Sequence, residues 1–354
     1  MTRRPDELRG ATLTGTGMYV PDRVLDNHNL ERMVETSDEW IRERTGIRER
    51  RIAAPDQASS DLAVIAAQRA LESAGLAARD VDQIIVATTT PDRILPSCAC
   101  TVQAKLGATR AAAYDVFAAC TGFIYGLGIA RGAIGSGLAD NVLLIGVETL
   151  SRIVDYTDRN TCVLFGDGAG AAVLQPCPSG EGIRAISMQS DGALGDVLEV
   201  PAGGSRLPAS AETVEARGHF IKMRGRELFK IAVRAMEESV QRALETSGLA
   251  AADIDLLIPH QANLRIIDAV QQRLGLPAGR VIVNIERYGN TSSASIPISL
   301  DEVVREGRLK PGDHVCFVAF GGGATWGASM VRWTKPAPIQ HELAVPAVAR
   351  RAHS

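Results

Sequence analysis

The sequence predicts an α/β protein built from two related halves, and three observations carry this prediction. The chain has 354 residues, of which 45% are hydrophobic, enough for two domains around a sizeable core. Apolar runs typical of strands alternate with amphipathic helical segments, as in layered α/β proteins. Two segments of the first half also recur, in the same order, in the second half.

The first repeated segment, LESAGLAARDVDQII at 71–85, returns as LETSGLAAADIDLLI at 244–258. In both copies a helix ends at a glycine, and a short polar turn leads into an apolar strand. The second, FGDGAGAAV at 165–173, resembles FGGGATWGASMV at 320–331, and each is interpreted as two strands joined by a glycine-rich turn. One such similarity could arise by chance, whereas two in the same order favour a duplication.

The boundary between the halves is predicted within 175–185, where prolines and glycines cluster. Residues 201–218 contain proline, glycine and serine and are predicted to form a long surface loop. The expected division is an N-terminal half at 1–180, a C-terminal half at 181–334 and a flexible tail at 335–354.

Composition and charge exclude several classes of protein. The net charge of −3 provides no global basic field for nucleic acid. The longest run without charged residues or histidine, Val315–Val331, is interrupted by glycines and is shorter than the roughly 20 residues of a membrane span. The charged first ten residues do not resemble a secretory signal. Six cysteines without a CxxC pair indicate a reducing, cytoplasmic setting and no metal site.

Cys120 is the candidate nucleophile. A predicted strand at 116–119 leads to it, and a helical segment rich in glycine and alanine follows. A thiol at a helix N-terminus meets unpaired N–H groups and the positive end of the helix dipole, which lowers its pKa. A buried, inert cysteine is the commoner case. That interpretation is kept for Cys98, Cys100, Cys162, Cys177 and Cys316.

His260 and Asn290 are the candidate partners of this cysteine. His260 follows the predicted strand at 254–258, and strand ends are where catalytic groups gather in α/β proteins. Asn290 precedes a helix start rich in serine and threonine. A structural histidine and a capping asparagine are the alternatives.

The duplication relates these positions to one another. The offset of the repeat, which is the sequence separation between Leu71 and Leu244, also relates Ala87 to His260. Nearly the same offset brings Asn290 close to the counterpart of Cys120. The strand-end turns of the two halves are therefore expected to converge on one site.

A cysteine, a histidine and an asparagine on strand-end turns suit acyl transfer through a thioester. The thiol supplies the nucleophile, and the other two side chains can donate hydrogen bonds to an oxyanion or enolate. Backbone N–H groups of the run Gly321–Gly323 are expected to pair with that of Cys120 as an oxyanion hole, worth roughly 3–4 kcal/mol. A tight hairpin at this run is compatible with that role.

At these motifs the sequence resembles the β-ketoacyl-acyl carrier protein synthase III family of the thiolase superfamily, over about 12–333. The resemblance implies a thiolase-like fold with a duplicated, five-layered αβαβα arrangement. It also implies the condensing enzyme that initiates bacterial fatty acid synthesis. The most specific segments are ETSDEWIRERTGIRERR (35–51), DVFAACTGF (115–123), FGDGAGAAVL (165–174), PHQANLRII (259–267), GNTSSASIP (289–297) and FGGGATWG (320–327).

The resemblance implies a reaction in two stages. Cys120 would take a short acyl group from acyl-CoA, and the backbone N–H groups of Cys120 and Gly322 would hold the oxyanion. Malonyl-acyl carrier protein would then lose CO2, and His260 and Asn290 would stabilise the enolate that attacks the thioester. The product would be a 3-oxoacyl chain on the carrier protein. No cofactor is implied beyond the coenzyme A of the substrate.

The resemblance also assigns binding residues and a homodimer. Trp40, Arg44 and Arg159, interpreted from the residues alone as a half-buried aromatic and two solvated charges, match nucleotide contacts of coenzyme A. Asn263 matches a position in the pantetheine channel, and Leu164 and Phe165 match the acyl pocket. Leu95 matches a residue that reaches across the dimer interface into the acyl pocket of the partner. The face that docks the acidic carrier protein is matched by Arg265, Lys230 and Arg273. The segment 91–95 and Arg226 depart from the common family pattern, which leaves the primer length and one nucleotide contact open.

Four alternatives stay open on the sequence. A secondary-metabolic paralogue making pyrones, quinolones or polyketides would keep the same triad. A papain-like hydrolase also has Cys, His and Asn in this order but expects a signal peptide, disulfides and a Cys-Trp pair. A dinucleotide-binding dehydrogenase is disfavoured because the glycine motif at 15–17 lacks its third glycine. A non-catalytic binding protein would leave the three convergent motifs unexplained.

Overall fold

The computed structural model describes residues 9–334, in which strands and helices alternate. The strands are β1 (Gly10–Tyr19), β2 (Arg23–Asp26), β3 (Glu49–Ile52), β4 (Gln83–Ala87), β5 (Ala112–Val116), β6 (Val142–Thr149), β7 (Asp167–Cys177), β8 (Gly182–Ser190), β9 (Leu198–Glu199), β10 (Lys222–Met223), β11 (Leu256–Pro259), β12 (His314–Gly321) and β13 (Thr325–Arg332). The helices are α1 (Asn27–Glu31), α2 (Asp38–Thr45), α3 (Ser59–Ala74), α4 (Cys98–Leu106), α5 (Gly122–Ser136), α6 (Arg159–Cys162), α7 (Ala211–Glu215), α8 (Gly225–Ser247), α9 (Leu264–Leu274), α10 (Ile285–Tyr288) and α11 (Ser295–Arg305).

Two sheets organise these elements. The first has the strand order β1-β7-β6-β4-β5, with β4 parallel to both β5 and β6 and β7 antiparallel to both of its neighbours. The second has the order β11-β12-β13-β8, in which only β11 and β12 are parallel. Two short ribbons, β2–β3 and β9–β10, lie outside these sheets. The chain passes from one sheet to the other between Cys177 and Gly182, within the predicted connector.

The sheets and helices stack in five layers. Helices α5 and α11 pack between the two sheets in one shared apolar core, and helices α3 and α4 cover the outer face of the first sheet. Helices α8 and α9 cover the outer face of the second sheet. Gly126 of α5 permits close packing on β6, because a Cβ at this position would lie 2.3 Å from a methyl carbon of Leu144. The predicted five-layered α/β arrangement is confirmed.

The duplication appears in the structure at the same offset as in the sequence. The 3₁₀ turn Ala78–Asp80 corresponds to Ala251–Asp253, and each leads into a strand. The 3₁₀ turn Ala119–Thr121 corresponds to Ser292–Ala294, and each leads into a central helix. The first residues of these two turns share an unusual left-handed backbone, with φ of 46° at Ala119 and 49° at Ser292. The division of the chain at residue 180 itself stays a prediction.

Three local predictions are wrong. The strand before Cys120 ends at Val116, because the left-handed conformation of Ala119 is incompatible with a continuing strand. The segment 165–173 contains the start of one strand, β7, because the helical turn α6 ends just before it. The segment 201–218 contains the short helix α7, capped by the hydroxyl of Ser210.

Two further predictions concern the termini and the membrane. The predicted flexible tail at 335–354 lies outside the described residues. Among the helices of residues 9–334, none combines the length and the apolar character needed to cross a membrane.

Candidate active site

Cys120 lies at a sharp turn between β5 and α5. The left-handed backbone of Ala119 reverses the chain, and the Thr121 hydroxyl donates a 2.6 Å hydrogen bond to the carbonyl of Ala118. Such strained residues cluster at functional sites, where the surrounding structure holds them in place. The turn directs the thiol into a cavity at the N-terminus of α5.

This cavity, about 860 Å³ in volume, brings the three predicted catalytic side chains together. Cys120, His260 and Asn290 all line it, although the last two come from the other half of the chain. All three side chains are buried. Their convergence is what the duplication and the strand-end positions predict. The other sequence-predicted residues on its wall are Trp40, Arg44, Arg159, Leu164, Phe165, Lys230, Asn263 and Arg265.

Burial raises the pKa of the Cys120 thiol to about 12. A hydrogen bond with Ser292 and the backbone N–H of Cys120 favour the thiolate, but burial outweighs them. The lowered pKa expected from the helix N-terminus is therefore not met. Cys120 holds its proton at neutral pH, and that proton must leave as the sulfur attacks.

His260 directly follows β11 and is held as a neutral ring. Its backbone N–H donates to the carbonyl of Val318 at 2.8 Å, and its Nδ1 lies 2.7 Å from the hydroxyl of Ser295. Burial lowers the pKa of His260 to about 3, because a charged imidazolium would lose its hydration. A neutral histidine in this cavity is a hydrogen-bond donor or acceptor and carries no charge.

Asn290 presents its amide to the same space. Its backbone N–H donates to the carbonyl of Leu164 and its carbonyl accepts from the N–H of Gly166, which ties this turn to the segment just before β7. Its side-chain Oδ1 accepts a 2.8 Å hydrogen bond from the N–H of Ser292. That contact orients the amide, so the Nδ2 group is left as a donor facing the cavity.

The end of β12 approaches the backbone of Cys120 closely. A Cβ at Gly321 would lie 2.7 Å from the backbone nitrogen of Cys120, so only glycine fits there. Gly321 lines the cavity, whereas a Cβ at Gly322 would lie 3.1 Å from the carbonyl oxygen of Leu198. The structure thus places the glycine run beside the nucleophile. The pairing of the Cys120 and Gly322 N–H groups as an oxyanion hole stays a prediction.

Glu148 is a buried acid near Cys120 that the sequence reasoning missed. Its carboxylate accepts hydrogen bonds from the N–H and hydroxyl of Thr89 and the hydroxyl of Thr90, all in the first half. It also accepts from the hydroxyls of Ser292 and Ser293, in the second half. Burial raises its pKa. The available signal is a single charged residue in the otherwise uncharged strand β6.

The mouth of the cavity is basic and includes the aromatic ring of Trp40. Two guanidinium groups contact the Trp40 ring, whose centroid lies 4.8 Å from the guanidinium carbon of Arg159 and 5.6 Å from that of Arg44. Lys230 and Arg265 also line the cavity and are exposed. An aromatic ring beside several cations suits a ligand that combines an aromatic base with phosphates.

Asn263 has a structural task that the sequence reasoning did not assign. Its Oδ1 caps α9 by accepting from the N–H of Arg265 at 2.9 Å. Its Nδ2 donates to the carbonyl of Arg44 at 3.0 Å. The residue therefore joins α9 to the end of α2 on the cavity wall.

Within the single chain, Leu95 and Arg273 lie away from this cavity. Leu95 is 84% exposed on the surface loop before α4. Arg273, on α9, is paired with Glu237 of α8. Their predicted roles, across a dimer interface and on the carrier protein, depend on partners outside the single chain.

Comparison with known proteins yields one consistent family. Models of the 3-oxoacyl-[acyl-carrier-protein (ACP)] synthase III family and of its C-terminal region match residues 114–192 and 244–333. The β-ketoacyl-[acyl-carrier-protein] synthase III of Symbiobacterium thermophilum is 57% identical over 92% of this chain and 99% of its own length.

Solved structures with similar folds agree with this result. The 3-oxoacyl-[acyl-carrier-protein] synthase III of Aquifex aeolicus VF5 is 48% identical, with a TM-score of 0.85 over 92% of this chain and all of its own. The priming β-ketosynthase of the R1128 polyketide biosynthetic pathway is 36% identical, with a TM-score of 0.87 over 95% of this chain and 99% of its own.

Proposed function

The chain belongs to the β-ketoacyl-acyl carrier protein synthase III family, and on that premise we propose how its residues start fatty acid synthesis. The enzyme condenses a short acyl-CoA primer with malonyl-acyl carrier protein to give 3-oxoacyl-acyl carrier protein. The observation that carries the proposal is the meeting of Cys120, His260 and Asn290 in one cavity behind a basic mouth.

In the first half-reaction the Cys120 sulfur attacks the carbonyl carbon of the acyl-CoA. The oxyanion is held by the backbone N–H groups of Cys120 and Gly322, and the coenzyme A sulfur leaves as the thioester to Cys120 forms. The thiol proton of Cys120 ends on the departing coenzyme A. Trp40, Arg44 and Arg159 hold the nucleotide end of that substrate. Coenzyme A is part of the substrate, and no separate cofactor is required.

In the second half-reaction the malonyl thioester loses CO2 and becomes an enolate. The neutral ring of His260 and the amide of Asn290 donate hydrogen bonds to the enolate oxygen. The enolate carbon attacks the thioester carbonyl, and the Cys120 sulfur leaves as a thiolate that takes a proton from solvent water. Lys230 and Arg265 attract the acidic carrier protein to the mouth. Arg273, also on α9, would add to this basic face by exchanging its ion pair with Glu237 for the carrier protein.

The fatty acid reaction is favoured over the secondary-metabolic alternative. The fatty acid relative from Symbiobacterium thermophilum is 57% identical over 99% of its length, compared with 36% for the polyketide priming enzyme.

A reducing compartment such as the cytoplasm fits the cysteines, since all six in the described residues are free thiols.

The proposal predicts a single acyl adduct that malonyl-acyl carrier protein removes. The protein is incubated with acetyl-, propionyl-, branched-chain and long-chain acyl-CoA, and its intact mass is measured. We expect one short acyl group per chain and its loss, with formation of 3-oxoacyl-carrier protein, when malonyl-acyl carrier protein is added. Modification by long-chain donors only would support a pathway-specific paralogue and contradict the role in starting fatty acid synthesis.

The proposal includes a homodimer of this chain, and one edge of the first sheet supports it. Strand β5 lies at that edge. Three large apolar side chains beside it are open to solvent: Ile94 is 90% exposed, Leu95 84% and Phe117 77%. An open strand edge flanked by apolar side chains favours association with a second copy. This arrangement would also carry Leu95 towards the acyl pocket of the partner.

Ile94→Asp is expected to weaken the dimer without unfolding the chain, because Ile94 makes few contacts within its own subunit. Analytical ultracentrifugation should give a mass near twice 37.6 kDa for the wild type and a shift towards the monomer for the variant. Leu138→Asp is the matched control, since Leu138 is 75% exposed beyond the C-terminus of α5, at the opposite ends of the strands. A monomeric wild type, or equal effects of both variants, would contradict this interface.

A further inference from the structure

We propose that Ser295 is a positioning residue that holds His260 as the tautomer protonated on Nε2, so that the ring donates into the cavity. The proposal concerns the second half-reaction and rests on the proposed function of His260. The proton position that it assigns can be measured without any turnover.

The contact between these two residues is short and enclosed. The Ser295 hydroxyl lies 2.7 Å from Nδ1 of His260, and both side chains are almost fully buried. Ser295 is the first residue of α11, and its carbonyl accepts a hydrogen bond from the Ser299 hydroxyl one turn later. The hydroxyl is therefore carried by a rigid helix end in the centre of the molecule.

The direction of this hydrogen bond follows from the other contact of the hydroxyl. The backbone N–H of Gln261, which can only donate, points to the same Ser295 oxygen at 3.4 Å. Within residues 9–334, Nδ1 of His260 is the one acceptor in contact with the Ser295 proton. The hydroxyl therefore donates to Nδ1. A neutral ring that accepts on Nδ1 carries its proton on Nε2.

The loop around His260 leaves little freedom for another arrangement. The side chain of Gln261 donates to the carbonyls of Pro259 and Ile282 and accepts from the N–H groups of Asn284 and Ile285. This buried amide fixes the backbone directly after His260. Ser295 is then the contact that decides which ring nitrogen bears the proton.

The duplication gives a second, independent view of this pair. The offset of the repeat relates His260 to Ala87 and Ser295 to Gly122. The counterpart positions also meet in the first half, where a Cβ at Gly122 would lie 2.8 Å from the Cβ of Ala87. The fold thus brings this strand end and this helix start together twice. In the first half the contact lies between the methyl group of Ala87 and the backbone of Gly122, and in the second half the same positions carry an imidazole and a hydroxyl.

Loss of the hydroxyl should affect one half-reaction selectively. In Ser295→Ala the ring can adopt the other tautomer, which presents the Nε2 lone pair to the enolate oxygen and repels it. We expect malonyl decarboxylation and condensation to fall by about 10- to 100-fold, while acylation of Cys120 by acyl-CoA stays within about 3-fold. Ser295→Thr keeps a hydroxyl and should recover most of the lost decarboxylation rate.

Ser299→Ala is the matched control. Ser299 is equally buried on the same helix and bonds to the carbonyl of Ser295, but it does not touch His260. A structural effect of removing a hydroxyl from α11 would lower both half-reactions in both alanine variants. Such equal losses would overturn the positioning role.

The proton itself is read by NMR of protein labelled with ¹⁵N at histidine, with the His260 signals assigned by their absence from His260→Asn. In the wild type we expect a proton on Nε2 and none on Nδ1, and in Ser295→Ala a mixture of tautomers. A proton on Nδ1 in the wild type would overturn the inference even if the alanine variant failed to fold. If Nε2 is protonated but the wild type makes no condensation product, the proposed function fails and the tautomer assignment stands.

Discussion

Replacing Cys120 with serine is expected to abolish condensation, with a loss of more than about 10³-fold, because it removes the nucleophile of the first half-reaction, whose thioester is the acyl donor of the second. A serine hydroxyl in the same enclosed position is far less acidic than the thiol, whose pKa burial already raises to about 12. Within residues 9–334, no charged base lies in direct contact with the Cys120 side chain to activate such a hydroxyl. We therefore expect the acyl adduct to disappear from the intact mass spectrum.

Cys98→Ser is the matched control for this substitution. Cys98 is also a buried thiol at a helix N-terminus, where α4 begins, and burial raises its pKa as well. It does not line the cavity, so the variant should acylate and condense at nearly the wild-type rate. An adduct that persists in Cys120→Ser and vanishes in Cys98→Ser would identify Cys98 as the nucleophile and refute the proposed site.

The duplication explains why so much of the fold could be predicted from the sequence. The repeated helix, polar turn and strand recur at one offset, and the structure keeps that offset at the 3₁₀ turns Ala78–Asp80 and Ala251–Asp253. The glycine-rich segment starting at Phe165 was harder to interpret. Its similarity to the segment starting at Phe320 covers one equivalent strand, because α6 separates β6 from β7 in the first half, whereas a short turn joins β12 to β13 in the second.

The convergence of the site could be predicted, but its electrostatics could not. Periodicity places Cys120 at a helix start, which suggests a lowered pKa, yet the extent of burial depends on strand β12 and the turn at Ser292 folding over it. In the same way, the serine-rich start of α11 was visible in the sequence. Which of its hydroxyls reaches Glu148, and which reaches His260, depends on helix orientation between the sheets.

His260→Ala and Asn290→Ala are expected to separate the two half-reactions. Each removes a donor to the enolate oxygen, so malonyl decarboxylation should fall by roughly 10²- to 10³-fold. Acylation of Cys120 needs neither donor in the proposed mechanism, and the thiol pKa is governed by burial and by Ser292 and Glu148. The rate of adduct formation from acyl-CoA should therefore change by less than about 10-fold. Release of CO2 from malonyl-acyl carrier protein and the appearance of the adduct are measured separately.

The pH dependence tests the same division of roles from another side. Burial lowers the pKa of His260 to about 3, so its ring is neutral at every pH above about 4. Because the ring of His260 gains its second proton only near pH 3, its titration cannot limit the rate near pH 6. Wild-type decarboxylation should therefore show no acidic limb between pH 5 and 8 that His260→Ala removes. Equal losses of acylation and decarboxylation in both variants, or an acidic limb near 6.5 that depends on His260, would instead make the histidine a general base that titrates near neutral pH and takes the thiol proton. The enclosed position of His260, its contact with the uncharged hydroxyl of Ser295 and the absence of a carboxylate in hydrogen-bond contact with its ring within residues 9–334 argue for the neutral donor.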